Sequence, residues 1–198
     1  MSRLIESIRL MDGRFHNVFY HEQRMNRSLR ELYGWDMPFG LGSFLESIPY
    51  PTSGLYKFRV LYDHRTRHVE FMPYIPKLIQ SLQLVEDNTI SYPHKFSDRK
   101  ALDRLSALRG TCDDILVVKN NEITDATYAN IAFRKADCWY TPVSVLLAGT
   151  MRQSLLDQGL IEARCIRKED IASFESFKLI NAMLGFEAPE QDVTGIRV

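Results

Sequence analysis

The chain has 198 residues, of which 45% are hydrophobic, so it can bury a sizeable core in one large or two small domains. Lysine plus arginine and aspartate plus glutamate number 25 each, and the formal charge is therefore zero. This balance excludes a global electrostatic attraction to nucleic acid or to an anionic membrane, and we expect neither as a partner.

Cysteine spacing and the N-terminal segment indicate a cytoplasmic protein. Cys112, Cys138 and Cys165 lie far apart and lack zinc-ligand spacing, so we expect reduced thiols and no metal site. Residues 1–10 lack the apolar core of a signal peptide, and no apolar run reaches the length of a membrane span.

Two strands and a helix are predicted at the start of the chain. Residues 4–10 and 14–19 flank Asp12 and Gly13, a dipeptide typical of tight hairpin turns. The next stretch has helical periodicity, and Gly34 is placed to end the helix. Its predicted buried stripe consists of four apolar residues: Met25, Leu29, Leu32 and Tyr33.

A second helix and a second hairpin complete a first unit of the α+β class. Ser43 and Glu46 have the spacing of a capping box at the start of a short helix. Residues 54–62 and 67–74 are predicted strands around a polar turn, with prolines closing the hairpin. We therefore predict a small N-terminal domain over residues 1–86.

Residues 87–97 are polar and contain Pro93, which predicts an interdomain linker. Lys95 lies in this linker, just ahead of a helix predicted over residues 98–110. The buried stripe of that helix is predicted to comprise Ala101, Leu102, Leu105 and Leu108.

The remaining part, residues 98–198, is predicted to form a larger domain with a small β-barrel or rolled sheet and helices outside it. Strands are predicted at 115–118, 122–124, 129–133, 138–140, 161–166 and 177–183. Helices are predicted over 150–158 and 168–173.

Five separated segments carry the motifs of one known family, in its order. They are residues 4–13, 21–24, 124–130, 147–152 and 181–183. Together with Lys95 they resemble the class IV, or fold-type-IV, pyridoxal-phosphate enzymes. This family includes branched-chain and D-amino-acid aminotransferases and 4-amino-4-deoxychorismate lyase. Each motif alone is weak, but five in the family's order are specific.

The resemblance implies a fold, a cofactor and partners. The fold is α+β with two domains, a small N-terminal α/β sandwich and a larger C-terminal domain with a rolled sheet or pseudobarrel. The cofactor is pyridoxal 5'-phosphate, the substrate is a small molecule with an amino group, and the protein is expected to be a homodimer.

A lysine in a loop rich in proline, histidine and serine is usually a solvated surface charge. A lysine that forms a Schiff base must instead be desolvated or lie beside other cations. The resemblance implies that Lys95 is this catalytic lysine, bonded to the cofactor and then acting as general acid and base. The roles of its neighbours Tyr92 and His94 stay open.

The resemblance also implies a phosphate site. Arg24 would bind the cofactor phosphate, since a planar guanidinium pairs bidentately with a dianion, and His21 would support it. Gly149, Thr150 and Met151 would present backbone amides at a helix start. A plain helix start is the alternative.

Three further residues match the motifs. Arg152 matches a family arginine that either contacts ligand or holds structure. Asn181 and Ala182 would close the other side of the phosphate pocket, although asparagine at a strand end is commonly a turn former.

Asp125 is a departure from the family, which has glutamate in its Thr-Glu-x-x-x-x-Asn motif. That carboxylate pairs with the pyridine nitrogen of the cofactor and keeps it protonated. Aspartate keeps the charge but is one methylene shorter. The backbone then shifts inward, a water bridges, or the ring withdraws electrons less strongly.

Three functions are consistent with the chain. The favoured one is lysis of 4-amino-4-deoxychorismate to 4-aminobenzoate and pyruvate, a step of folate synthesis, suggested by the short N-terminus and by the lyase-like pattern at His94, Lys95, Asp98 and Arg99. The second is transamination of branched-chain or D-amino acids. The third is a non-catalytic relative that keeps the fold.

Overall fold

The computed structural model describes residues 3–37 and 40–197, and the chain divides into two compact units. Unit 1 contains Met1–Pro76 and His94–Asp98, and unit 2 contains Lys77–Pro93 and Arg99–Val198. The division therefore differs from the predicted boundaries. Residues 77–86, which we placed in the first domain, belong to unit 2. Of the predicted linker, residues 87–93 belong to unit 2, and residues 94–97, with Lys95, belong to unit 1.

Unit 1 is built on an antiparallel sheet of four strands in the order β2-β1-β3-β4. The strands are β1 (Leu4–Met11), β2 (Arg14–Phe15), β3 (Leu55–Tyr62) and β4 (Arg67–Pro73). Asp12 and Gly13 have φ values of 46° and 76°, as a tight hairpin turn of the primed type requires. The second predicted hairpin is confirmed, and so is the turn of the first, but the strand predicted over residues 14–19 covers only Arg14–Phe15, because helix α1 begins at Val18.

Two helices pack on this sheet, α1 (Val18–Tyr33) and α2 (Leu41–Glu46). Helix α1 ends at Gly34, whose φ of 68° is the left-handed conformation that glycine adopts at low cost. The prediction for Leu32 was wrong, because its side chain is 37% exposed. The buried face of α1 instead includes three polar residues: His21, Arg24 and Ser28.

The capping box predicted at Ser43 and Glu46 was also wrong. Helix α2 begins three residues earlier than the box requires, with Gly40 as its N-cap. Its Leu41 amide donates to the Glu22 carboxylate at 2.7 Å, so a side chain of α1 satisfies the helix start. The core of unit 1 comprises Leu4, Ile8, Met25, Leu29, Leu41, Leu45, Phe58, Val60 and Tyr62.

Nine strands of the described residues form the sheet of unit 2. They are β5 (Leu82–Glu86), β6 (Asp114–Lys119), β7 (Glu122–Ala126), β8 (Asn130–Lys135), β9 (Cys138–Pro142), β10 (Glu162–Arg164), β11 (Ser176–Ile180), β12 (Gln191–Asp192) and β13 (Ile196–Arg197). The main path is β10-β9-β8-β7-β6-β5-β13, and β11 pairs with β8 and β12. Strand β5 pairs in parallel with β6 and β13, which explains its place in unit 2.

Unit 2 carries two α-helices among its described residues, α3 (Lys100–Ser106) and α4 (Thr150–Asp157). Short 3-10 segments occur at Ala107–Arg109, Lys168–Ser173 and Val193–Gly195. Leu102 and Leu105 of α3 are buried as predicted, but Ala101 and Leu108 are exposed. The chain tightens into a 3-10 turn after Ser106, which breaks the predicted four-residue stripe.

Fifteen buried side chains of unit 2 form one hydrophobic cluster. Its fully buried members are Leu82, Leu116, Ile123, Ile131, Phe133 and Phe177. In the part of the chain that the structure describes, no helix is long and apolar enough to cross a bilayer. The same residues contain no group of three or more histidine, cysteine or acidic side chains arranged to hold a metal.

Candidate functional site

A buried carboxylate lies at the centre of the polar residues of unit 1. Side chains of β1 alternate between a buried and a partly exposed face, and Glu6 takes a position on the buried face between Leu4 and Ile8. Its side chain is fully buried. A charge in such a place is costly unless it is paired and hydrogen-bonded. The sequence analysis missed Glu6, although a charge within an alternating apolar pattern was a visible signal.

Arg24 and His21 of α1 both bind this carboxylate. The Arg24 Nε donates to Glu6 Oε1 at 2.9 Å, and its Nη2 donates to Oε2 at 2.5 Å. The His21 Nδ1 lies 2.6 Å from Oε2. Burial raises the pKa of Glu6, but the Arg24 charge and the hydrogen bonds of Arg24 and His21 outweigh it and lower the pKa to about 2.

The neutral form of His21 is favoured in this arrangement, because the pKa of its ring is lowered. Burial lowers its pKa, the Glu6 carboxylate raises it, and the charges of Arg24 and Lys95 lower it further, with a net decrease. A neutral ring that faces an ionised carboxylate donates its Nδ1 proton to it. The influence of Lys95 on His21 also shows that the lysine lies close to this cluster.

The backbone of Lys95 is attached to the first strand of unit 1. The Ile5 amide donates to the Lys95 carbonyl at 2.8 Å, and the Ser97 amide donates to the Arg3 carbonyl at 2.8 Å. Lys95 is half-buried. The structure thus brings together three residues that the sequence analysis selected, Lys95, Arg24 and His21, with Glu6 between the latter two.

Asp125 is the buried carboxylate of unit 2. The Asn130 Nδ2 donates to its Oδ1 at 2.6 Å, and the amides of Leu146 and Leu147 both donate to its Oδ2 at 2.9 Å. Burial raises the pKa of Asp125, whereas these hydrogen bonds and the Arg152 charge lower it, and the result is a raised pKa of about 6.

Asn130 connects Asp125 to the segment that precedes α4. It lies opposite Asp125 in the pairing of β7 with β8, and its Nδ2 also donates to the Leu147 carbonyl at 3.0 Å. A Cβ added at Gly149 would lie 1.9 Å from the Asn130 Oδ1. Glycine is therefore required at the N-cap of α4 by close packing, since its φ of −72° suits any residue. The helix begins at Thr150, with Met151 next.

Arg152 has hydrogen bonds that assign it a structural role. Its Nη2 donates to the Pro142 carbonyl at 2.8 Å, and its Nε donates to the Thr141 Oγ1 at 3.3 Å. Burial lowers the pKa of Arg152, and the nearby Asp125 charge raises it. These bonds tie α4 to β9, and the charge of Arg152 helps to keep Asp125 ionised.

Asn181 and Ala182 follow the end of β11. The Asn181 Oδ1 accepts hydrogen bonds from the amides of Met183 at 2.8 Å and Leu184 at 2.9 Å, as in an Asx turn. Its Nδ2 donates to the Tyr128 carbonyl at 3.3 Å. Asn181 is thus a turn former, and contact of either residue with a cofactor phosphate stays a prediction.

Tyr92 is buried and lines a polar cavity of about 400 Å³ within unit 2. Lys119 and Glu122 are the charged residues of its wall. The Lys119 Nζ donates to the Ile90 carbonyl at 2.7 Å, and Glu122 binds the Ser144 hydroxyl. Both charged groups of the wall are thus bonded within unit 2, and the bond of Lys119 attaches it to the loop that carries Tyr92.

Comparison with known proteins identifies the class to which this chain belongs. Residues 59–187 match the model of the amino-transferase class IV family. This match covers more than half of the chain, so the protein belongs to that family and is an enzyme of the class IV aminotransferase and lyase type. The family predicted from the sequence motifs is therefore confirmed.

Particular relatives are similar over almost the whole chain. A Haemophilus influenzae protein of uncharacterised function is 38% identical over 188 residues, which cover 93% of this chain and 100% of the relative. A Schizosaccharomyces pombe protein, named as a proposed aminodeoxychorismate lyase, is 28% identical over 203 residues, which cover 91% of this chain and 86% of the relative.

Solved structures confirm the predicted fold class. The crystal structure of a proposed 4-amino-4-deoxychorismate lyase from Haemophilus somnus 129PT is 34% identical, with a TM-score of 0.88 over 94% of this chain and 98% of that chain. An aminotransferase from Brucella abortus with bound pyridoxal phosphate is 16% identical, with a TM-score of 0.72 over 96% of this chain and 83% of that chain. The latter likeness concerns the fold alone. The chain has the fold-type-IV architecture.

Proposed function

We propose that this protein is a pyridoxal-phosphate-dependent 4-amino-4-deoxychorismate lyase, which releases 4-aminobenzoate and pyruvate. The observation that carries the proposal is the match to the Haemophilus somnus structure, at 34% identity and over nearly the full length of both chains. The yeast relative, which bears a similar name, supports the same substrate.

The residues of each unit fit the proposed cofactor. Unit 1 offers an amine at Lys95 and a guanidinium at Arg24, whose charges both act on His21, and unit 2 offers a buried carboxylate at Asp125 and a helix start at Gly149. When bound, pyridoxal phosphate supplies an aldehyde for the substrate amine and a ring that withdraws electrons. The residues that would hold it are Arg24, Lys95, Asp125, Gly149, Thr150, Met151, Asn181 and Ala182.

Lys95 would bond to the cofactor and then move protons. An amine is the nucleophile that condenses with an aldehyde, and the charge of Lys95 reaches the buried His21 of this cluster. The two products contain every atom of the substrate, so the reaction needs a base and an acid but no co-reactant. One amine that accepts and then returns a proton meets this requirement.

Arg24 would bind the phosphate in a fixed orientation. The paired bonds to Glu6 hold the guanidinium plane, and holding a charged donor in place before binding reduces the cost of ordering it. The amides of Thr150 and Met151 would add donors at the start of α4, where the helix dipole favours an anion.

Asp125 would keep the proton on the pyridine nitrogen. It can do so only as a carboxylate, and a pKa of about 6 leaves it mainly ionised at neutral pH. Its hydrogen bonds from Asn130 and from two backbone amides stabilise the ionised form.

By the same family resemblance, the protein would be a cytoplasmic homodimer that supplies 4-aminobenzoate for folate biosynthesis. Light scattering coupled to size-exclusion chromatography tests the dimer, since a mass near 46 kDa is about twice the 23.0 kDa of the chain. A mass of one chain would contradict this part of the proposal.

Transamination of branched-chain or D-amino acids is the second candidate, because the matched family is named for that reaction. The presence of Asp125 where the family has glutamate favours a third candidate, a relative that keeps the fold without catalysis. Purified protein incubated with aminodeoxychorismate separates the three. We expect equal amounts of 4-aminobenzoate and pyruvate. Keto acid formation from amino acids without 4-aminobenzoate would establish the aminotransferase, and neither reaction would favour the non-catalytic relative.

Borohydride reduction followed by peptide mapping tests the site. We expect a pyridoxyl group on Lys95 and none in a Lys95→Ala variant. Lys100 offers a matched control, since Lys100→Ala removes an exposed lysine of α3 and should keep the adduct. An adduct on any other lysine of the wild-type chain would overturn the assignment.

A further inference from the structure

His94, the residue before Lys95, begins a tight turn of three residues, 94–96, which we call the lysine turn. The Phe96 amide donates to the His94 carbonyl at 2.9 Å, which places Lys95 at the centre of the turn. The bonds from Ile5 to Lys95 and from Ser97 to Arg3 attach the same turn to β1. The main chain of Lys95 is therefore held on both sides.

The His94 side chain attaches this turn to α1 as well. Its ring is only 7% exposed, its Nδ1 lies 3.3 Å from the Ser28 Oγ, and its Nε2 lies 3.6 Å from Glu31 Oε2. The ring also packs edge-to-face on Phe96, with centroids 5.6 Å apart. A buried imidazole without such partners would be destabilising, so the ring is held in one place by them.

Helix α1 carries the partners of His94 and the residues near the Lys95 amine on one face. His21 and Ser28 are seven residues apart, which puts them two turns along the same side of the helix. The Ser28 hydroxyl also lies near the Tyr62 hydroxyl of β3, where it opposes the rise of the Tyr62 pKa that burial causes. The link from Ser28 to His94 thus sets where the lysine turn lies along α1.

We propose that His94 is a positioning residue for Lys95, fixing the lysine turn against α1 through Ser28 and Glu31. This inference rests on the proposed function, because the position of Lys95 matters for catalysis only if Lys95 is the reacting amine. A shift of roughly 1 Å in a reacting group costs about a hundredfold in rate, so a loose turn would lower turnover.

Two variants remove the link from opposite ends, His94→Ala and Ser28→Ala. We expect kcat for 4-aminobenzoate release to fall about tenfold to a hundredfold in His94→Ala, with little change in KM, and to fall less in Ser28→Ala. His94→Asn keeps a hydrogen-bonding group near Ser28 and should restore most of kcat. The control is His64→Ala, which removes a half-buried histidine packed on Tyr33 and Trp35.

A second readout needs neither substrate nor cofactor. The full chain, stripped of cofactor, is acetylated briefly with acetic anhydride, and the rate at Lys95 is measured by peptide mass mapping. We expect a several-fold change at Lys95 in His94→Ala and Ser28→Ala, and wild-type rates in His94→Asn and His64→Ala. Unchanged Lys95 rates and unchanged kcat in the first two variants would overturn the proposal. If the wild type released no 4-aminobenzoate, the proposed function would fail, while the acetylation rates would still decide the role of His94.

Discussion

The Arg24 guanidinium forms two hydrogen bonds to the Glu6 carboxylate, of 2.9 and 2.5 Å, in the interior of unit 1. Because both side chains are buried, neither charge can be solvated if the other is removed. The pair gives Arg24 a fixed orientation and a low exposure before any ligand arrives.

Replacing Glu6 with glutamine should destabilise the protein strongly. The Glu6→Gln variant keeps the shape of the side chain but leaves the Arg24 charge buried without compensation, which costs about 3–5 kcal/mol. Urea denaturation measures the free energy of unfolding. Glu70→Gln is the matched control, because the ion pair of Glu70 with Arg59 is 40% exposed on both sides and contributes at most about 1 kcal/mol. Equal stability of the two variants would contradict the role of Glu6.

The same carboxylate predicts how stability depends on acid. The pKa of Glu6 falls from 4.5 to about 2 on folding, so the folded state binds this proton less tightly than the unfolded state. Its contribution, about 3 kcal/mol, is fully present above pH 4.5 and is lost as the pH falls toward 2. The difference in the free energy of unfolding between wild type and Glu6→Gln should therefore decrease over this pH range. A constant difference between them from pH 5 to about 2 would show that the pairing does not lower the pKa.

Asp125 predicts an acid limit for activity. Its pKa is raised to about 6, so protonation below that pH removes the charge that would pair with the pyridine nitrogen. We expect kcat/KM of the wild type to fall tenfold per pH unit well below pH 6. Asp125→Asn should lower kcat by about a hundredfold or more and should lack this limb. If kcat/KM of Asp125→Asn also fell tenfold per pH unit well below pH 6, the titration would belong to another group.

Gly149 should not tolerate even one added methyl group. The Cβ of Gly149→Ala would lie 1.9 Å from the Asn130 Oδ1, so Asn130 must move and its bond to Asp125 must change. We expect a loss of about 1–3 kcal/mol in the free energy of unfolding and weaker retention of pyridoxal phosphate, followed by its absorbance. Gly42→Ala is the control, because nothing lies within 4 Å of its added Cβ in α2 and alanine favours a helix. Wild-type behaviour of Gly149→Ala would contradict the packing argument.

Much of the fold could be predicted from the sequence because its signals are local. The turn at Asp12 and Gly13 and the end of α1 at Gly34 depend on the φ angles of single residues, and the structure has both. The motif order predicted the family, which the match over residues 59–187 confirms. The site residues were likewise chosen from these motifs, and their contacts with a cofactor remain to be tested.

What only the tertiary structure decided are the pairings between residues distant in the chain. Glu6 accepts from Arg24, 18 residues away, and Glu22 caps α2 at Leu41, 19 residues away. The bonds of Arg152 to β9 and of His94 to Ser28, 66 residues apart, likewise depend on how strands and helices pack. Local propensity depends on a few neighbouring dihedral angles, so the sequence of a short segment determines it. A buried charge needs a protein partner because water is excluded, and that partner is the group that the fold places next to it.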